Sequence, residues 1–166
     1  IAYTGNVDYN LENLVVVDVI GSILRVRYTE EIREKEGATY GVSVRANVKN
    51  FPIPSFSAAI NFDTDPKLKD RMIGIVYNEI KSMMTEGPSD VNVGKAKEFL
   101  LKQYDQNQRD NGYWSSAIRA KYINGIDVNS KYLEIVNGLT PAKVKAVAEK
   151  IFGQGNIVEV VMSPKE

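Results

Sequence analysis

Arg33 and Tyr40, seven positions apart in the segment IREKEGATYG, are the two side chains of this chain best suited to grip a ligand. Arginine offers five donors in a fixed fork and tyrosine a hydroxyl that donates or accepts. A structural reading stands beside the functional one. Arg33 falls on the last turn of a helix, where a cation favours the macrodipole, and Tyr40 is in phase with the buried face of a strand. Spacing alone leaves both readings open. The pair stands out because the rest of the 166 residues offers so little, with no histidine and no cysteine. That excludes a Ser-His-Asp triad, an imidazole base, a thiolate nucleophile, a disulfide and any zinc site built on His or Cys.

Other clusters read as structure. Glu30, Glu31, Glu34 and Glu36 alternate with Arg33 and Lys35, the pattern of a solvated, salt-bridged face rather than a hard-metal site. Asp63 and Asp65 precede Pro66, which makes Asp65 the N-cap of a helix with proline at its first position. Tyr113 and Trp114 offer a stacking platform, but Trp114 shares a helical stripe with Ile118 and Tyr122, which predicts core. Gly21, Gly37 and Gly41 form no phosphate-binding pattern. With 21 basic and 21 acidic residues, no uncompensated positive field exists for nucleic acid. No apolar run approaches the roughly 18–20 residues of a membrane span.

The elements that must position Arg33 and Tyr40 follow from periodicity. Residues 1–5 read as the end of a strand. A helix is expected over Leu11 to Lys35, with Val15, Val19, Ile23, Val26 and Ile32 as a one-faced stripe and Gly37 as its stop. Ala38, Tyr40, Val42, Val44, Ala46 and Val48 then alternate with polar residues, as a strand with one wet face does. After a loop holding Pro52 and Pro54, Phe56, Ala58, Ile60 and Phe62 alternate again, predicting an antiparallel hairpin. Further helices start at Asp65-Pro66, Ser89 and Thr140-Pro141. Between the last two lie the helix of Trp114, ending at Gly125, and a short segment with Tyr132, Ile135 and Val136. Residues Ile157 to Met162 read as a last strand. The fold class is α+β, a mostly antiparallel sheet with helices packed on one face. At this length residues 1–166 are expected to form one domain that buries about 68–70% of its unfolded surface and needs neither disulfide nor metal. The chain opens in mid-pattern, which is read as excision from something longer.

The long helix ending in IREKEGATYGVSV, followed by a hairpin, resembles the pitrilysin/insulinase family of zinc metallopeptidases, which includes the mitochondrial processing peptidases. NGYWSSAI at 111–118, GLTPAKVKAVAEKIF at 138–152 and VEVVMSP at 158–164 are similar to family segments in the same order. The resemblance implies a non-catalytic, C-terminal-type domain, because the family's inverted zinc motif HxxEH cannot be written without histidine. It implies zinc in the catalytic domain of the parent and none in this chain. The partners it implies are a peptide substrate and the zinc-bearing domain, on the same parent chain or a partner subunit. It also assigns Arg33 and Tyr40 the role of contacting the substrate backbone near the scissile bond. The alternative is a catalytically dead relative that scaffolds a complex. The compartment is left open; a parent with a signal peptide would work in the periplasm or cell envelope.

Overall fold

The computed structural model describes residues 1–35 and 41–163, with the side chains of residues 33–35 outside that description. Strand β1 (Ala2–Asn6) leads into helix α1 (Leu11–Tyr28), which continues as a π-helical segment over Thr29–Lys35. Strands β2 (Val42–Lys49) and β3 (Ser55–Phe62) follow. A 3₁₀ turn, Pro66–Leu68, then opens helix α2 (Lys69–Thr85). Helices α3 (Asp90–Asn107), α4 (Asn111–Asn124), α5 (Tyr132–Asn137) and α6 (Pro141–Phe152) complete the helical layer before the short strand β4 (Ile157–Val158). The sheet is antiparallel at every pairing, in the order β2-β3-β1-β4. This is the α+β architecture the sequence predicts.

The hairpin forms as its alternation requires. Val42 lies opposite Phe62, Val44 opposite Ile60 and Val48 opposite Phe56. Val44, Val48, Phe56, Ala58 and Ile60 are buried, while Ser43, Arg45, Asn47 and Lys49 face water. The helices cover only the apolar face. α1 packs across β2, and α6 docks on β1 through Phe152, whose ring meets Tyr3 edge-on at 5.1 Å and Phe56 at 6.2 Å. Gly21 lets α1 approach the sheet closely, since a Cβ there would sit 2.9 Å from the Cβ of Ala46.

Caps set the helix starts. Asn10 accepts from the Asn13 amide at 2.8 Å, Asp65 from Lys67 at 2.8 Å, Ser89 from Asn92 at 3.2 Å and Thr140 from Lys143 at 3.2 Å. These bonds satisfy amides that no helical carbonyl can reach, and they confirm Asp65 as a cap. Left-handed glycine stops follow α2 at Gly87 and α4 at Gly125, with φ of 81° and 70°; Gly37 and residues 38–40 lie outside the described residues.

Three expectations need correction. α1 is not a one-faced stripe. Val15, Val16, Val17, Val19, Ile20, Ile23 and Leu24 are all buried while Val26 is 48% exposed, because α1 is the central helix, touching β2, α2, α3, α5 and α6. In α4 the buried residue is Ala117; Trp114 is half-buried, and Ile118 and Tyr122 are 56% and 85% exposed. Finally, the last strand is paired only over Ile157–Val158, not to Met162.

Candidate functional site

The segment singled out from the sequence lies where the α1 line ends and β2 begins. α1 is anchored immediately before it. Tyr28 is fully buried, and its hydroxyl donates to the Val76 carbonyl of α2 at 3.1 Å. Arg27 pairs with Glu79 at 3.3 Å and donates to the Gly87 carbonyl at 3.2 Å. Ile32, four residues past Tyr28, is also fully buried. The chain between them widens into π geometry, a form often found at functional sites. Arg33 belongs to this π-helical segment. Its side chain, and Tyr40 altogether, lie outside the described residues.

Burial is the main electrostatic influence on Tyr28. It pushes the phenol well above the ordinary tyrosine range, with smaller contributions from Tyr3 and Glu79 that the Arg27 charge partly offsets. Tyr28 is therefore a neutral structural strut and not a proton donor at ordinary pH. The sequence carried its signal, a four-residue step from Leu24 through Tyr28 to Ile32, but the anchoring partners Val76, Glu79 and Gly87 are about fifty to sixty residues away and no local pattern discloses them.

Beside the start of β2 the sheet end opens into a cavity of about 940 Å³, with Gly41, Ser43, Asn61, Asp63, Lys69 and Glu159 among its lining residues. Two of its charged residues, Lys69 and Glu159, have partners within the chain. Lys69 meets Asp70 at 2.8 Å. Tyr77 donates to Glu159 at 2.7 Å, a bond that raises the Tyr77 pKa above its usual value. The Tyr113-Trp114 pair sits elsewhere and is likewise committed. The rings meet edge-on at 5.5 Å, the Tyr113 hydroxyl bonds to Asn129 at 3.0 Å, and the Trp114 indole donates to the Gln108 carbonyl at 3.1 Å. They tie down the α3–α4 turn instead of offering an open stacking platform.

Zinc requires three or four converging nitrogen, sulfur or oxygen donors. The chain has no histidine or cysteine, and among the described residues no group of three or more carboxylates converges. The described residues do not fit zinc. Elemental analysis of the purified chain is expected to return far less than one zinc per molecule; a tight one-to-one signal would contradict this. Among the described residues, no helix is long and apolar enough to cross a membrane.

A zinc protease PQQL-like protein of Arabidopsis thaliana is 21% identical over 157 residues, covering 85% of this chain and 16% of its own length. The chain thus spans about a sixth of that curated relative. The crystal structure of the periplasmic protease PqqL from Escherichia coli shares the fold, with a TM-score of 0.79 at 15% identity, over 92% of this chain and 17% of that one. A peptidase M16 inactive domain from Pseudomonas fluorescens does so with a TM-score of 0.68 at 21% identity, over 90% of this chain and 37% of that one. The family model described as the peptidase M16 inactive domain matches residues 1–100, which bears out the resemblance to the pitrilysin/insulinase-type zinc proteases. The chain belongs to the peptidase M16 inactive domain family.

Proposed function

We propose that this domain is the non-catalytic half of a zinc metalloendopeptidase, closing the substrate chamber and orienting peptide through Arg33 and Tyr40. The observation that carries the reading is the family match over residues 1–100, which includes the IREKEGATYG segment in a chain without one histidine. The zinc-bearing partner is a catalytic domain on the same parent polypeptide or on a partner subunit. Residues 1–166 act as one domain of that parent. A periplasmic setting accords with the Escherichia coli relative, which is a periplasmic protease.

The chemistry follows from the side chains. A peptide held in extended form by the catalytic half presents carbonyl oxygens to the facing half. A guanidinium and a phenol reaching across can fix those oxygens and stabilise the negative charge that develops on one of them as water adds. Neither group needs to titrate, so a domain lacking imidazole can still lower the barrier of a reaction whose metal and base lie elsewhere.

Tyr40→Phe removes one oxygen and leaves the ring. In the full-length protein it is expected to lower kcat by about 10–100-fold, the worth of one hydrogen bond in a partly dry site, with the zinc content unchanged by elemental analysis. If turnover is unchanged both here and on replacing Arg33, the domain is a scaffold and the pair is structural.

A further inference from the structure

α3 packs against α1 and runs antiparallel to it. Arg27, near the end of α1, reaches the Gly87 carbonyl just before α3 starts. The charge of Asp18, in the middle of α1, acts on Tyr132, whose ring stacks at 5.3 Å on Tyr104 near the end of α3. Between the two helices lies an apolar slot of about 200 Å³. Its lining runs from residue 18 to 26 on α1 and from 92 to 100 on α3, so its centre falls at Ser22 and Ala96, both small. Val26 and Phe99 also line it and are 48% and 57% exposed. Exposed apolar groups gathered around a slot with a small-residue floor mark a surface that another element can cover.

The charges on this face are arranged about the same centre. On α1, Asp18 and Arg25 are two helical turns apart, about 10.5 Å, and so share one side of the helix. Their midpoint falls between Gly21 and Ser22. On α3, Lys95 and Glu98 are one turn apart, about 4.5 Å along the axis, with their midpoint between Ala96 and Lys97. Because α3 runs the other way, Asp18 and Glu98 lie toward one end of the slot and Arg25 and Lys95 toward the other. All four residues are exposed, and none forms an ion pair among the described residues. The surrounding helices partly dehydrate the Asp18 carboxyl and hold it above the usual carboxylate range, an effect that Arg25 offsets only in part.

A partner for this face has to bring a cation over Asp18 and an anion over Arg25 at that same spacing. A second copy of the chain brings both. A half-turn about an axis in the face, across the helices and through the slot, lays α1 of one copy antiparallel on α1 of the other. Asp18 of each copy then faces Arg25 of the other, and Glu98 faces Lys95, so every contact occurs twice. Phe99 of each copy comes over Asn92 and Ala96 of the other, at the slot. We infer that the α1–α3 face is the interface of a symmetric homodimer. The pairing uses only these two helices, so it holds whether or not Arg33 and Tyr40 orient substrate.

Sedimentation equilibrium of the purified chain at low salt tests this. A two-helix face of this kind belongs with small, weak associations, and the dimer is expected with a Kd on the order of 10–100 µM. Asp18→Arg alone sets like charges face to face at two symmetry-related places and is expected to raise Kd at least about tenfold. Arg25→Asp alone is expected to do the same. The double variant reverses both ends, keeps opposite charges facing and is expected to return Kd to within about threefold of wild type. Thermal unfolding in dilute solution, where every version is monomeric, checks that the folds match. A chain still monomeric at about 1 mM would overturn the homodimer and leave the slot to a different partner. Dimers that survive both single reversals, or that a well-folded double variant fails to restore, would overturn the assignment to this face.

Discussion

If Arg33 orients substrate as proposed, replacing it by alanine in the full-length protein is expected to lower peptide turnover by about 10²–10³ and to leave bound zinc unchanged, the loss that follows deletion of one preorganised donor to a developing oxyanion. The form of the loss matters as much as its size. A group engaged only in the transition state lowers kcat and kcat/KM together, whereas one that merely holds substrate raises KM with kcat intact. Arg33→Lys separates charge from geometry. It keeps the cation but gives up the planar fork, so its turnover should fall between wild type and Arg33→Ala. If Arg33 serves only to complement the end of its helix, alanine costs about 0.3–1 kcal/mol of stability and turnover holds. Measuring kcat, KM, zinc content and Tm on the same three proteins decides between these outcomes.

The sequence discloses this fold where a pattern has a single physical cause. Val44, Val48, Phe56, Ala58 and Ile60 alternate because one face of the hairpin is wet and the other dry, and they are buried as that pattern requires. Asp65, Ser89 and Thr140 cap helices because side-chain oxygens before a helix satisfy orphan amides, and each does so here. Legibility fails where tertiary context decides. Trp114, Ile118 and Tyr122 share one helical face, but periodicity shows only that a face is apolar, not that anything covers it. Among the three, only Trp114 is even half-buried. Val26 is in phase with a stripe that has little meaning on a helix buried nearly all round. Residues 159–162 have strand composition, but pairing needs a neighbour, and β1 supplies one only as far as Ala2 opposite Val158. At the candidate site the sequence marks Arg33 and Tyr40 by motif, while the tie that holds the preceding turn, Tyr28 to Val76, is visible only in three dimensions.

That tie carries the second large effect. Tyr28→Ala is expected to cost about 3–5 kcal/mol of unfolding free energy, the range for deleting a fully buried aromatic ring. Tyr28→Phe keeps the ring and loses only the 3.1 Å bond to the Val76 carbonyl, at about 0.5–1.5 kcal/mol. Urea unfolding with an unchanged m-value would report both as stability changes. A loss below about 1 kcal/mol for alanine would show that the site collapses around the deletion and that Tyr28 is not the anchor. Alkaline pH provides an independent check. Burial holds the Tyr28 phenol protonated in the folded chain well above its usual range, while the unfolded phenol ionises near about pH 10. The folded state then binds the extra proton, so the contribution of Tyr28 is complete below about pH 10 and declines as pH rises, by about 1.4 kcal/mol per unit. Tyr3 and Tyr132, each pushed up to about 12 chiefly by burial, add alkaline sensitivity of the same sign in every variant. The difference between wild type and Tyr28→Phe therefore isolates Tyr28. Their stabilities should converge as pH is raised above about 10, because the phenylalanine variant has no proton to lose at that position. Parallel curves across that range would mean that the Tyr28 hydroxyl reaches water, and with it that the end of α1 leading to Arg33 is not sealed against α2.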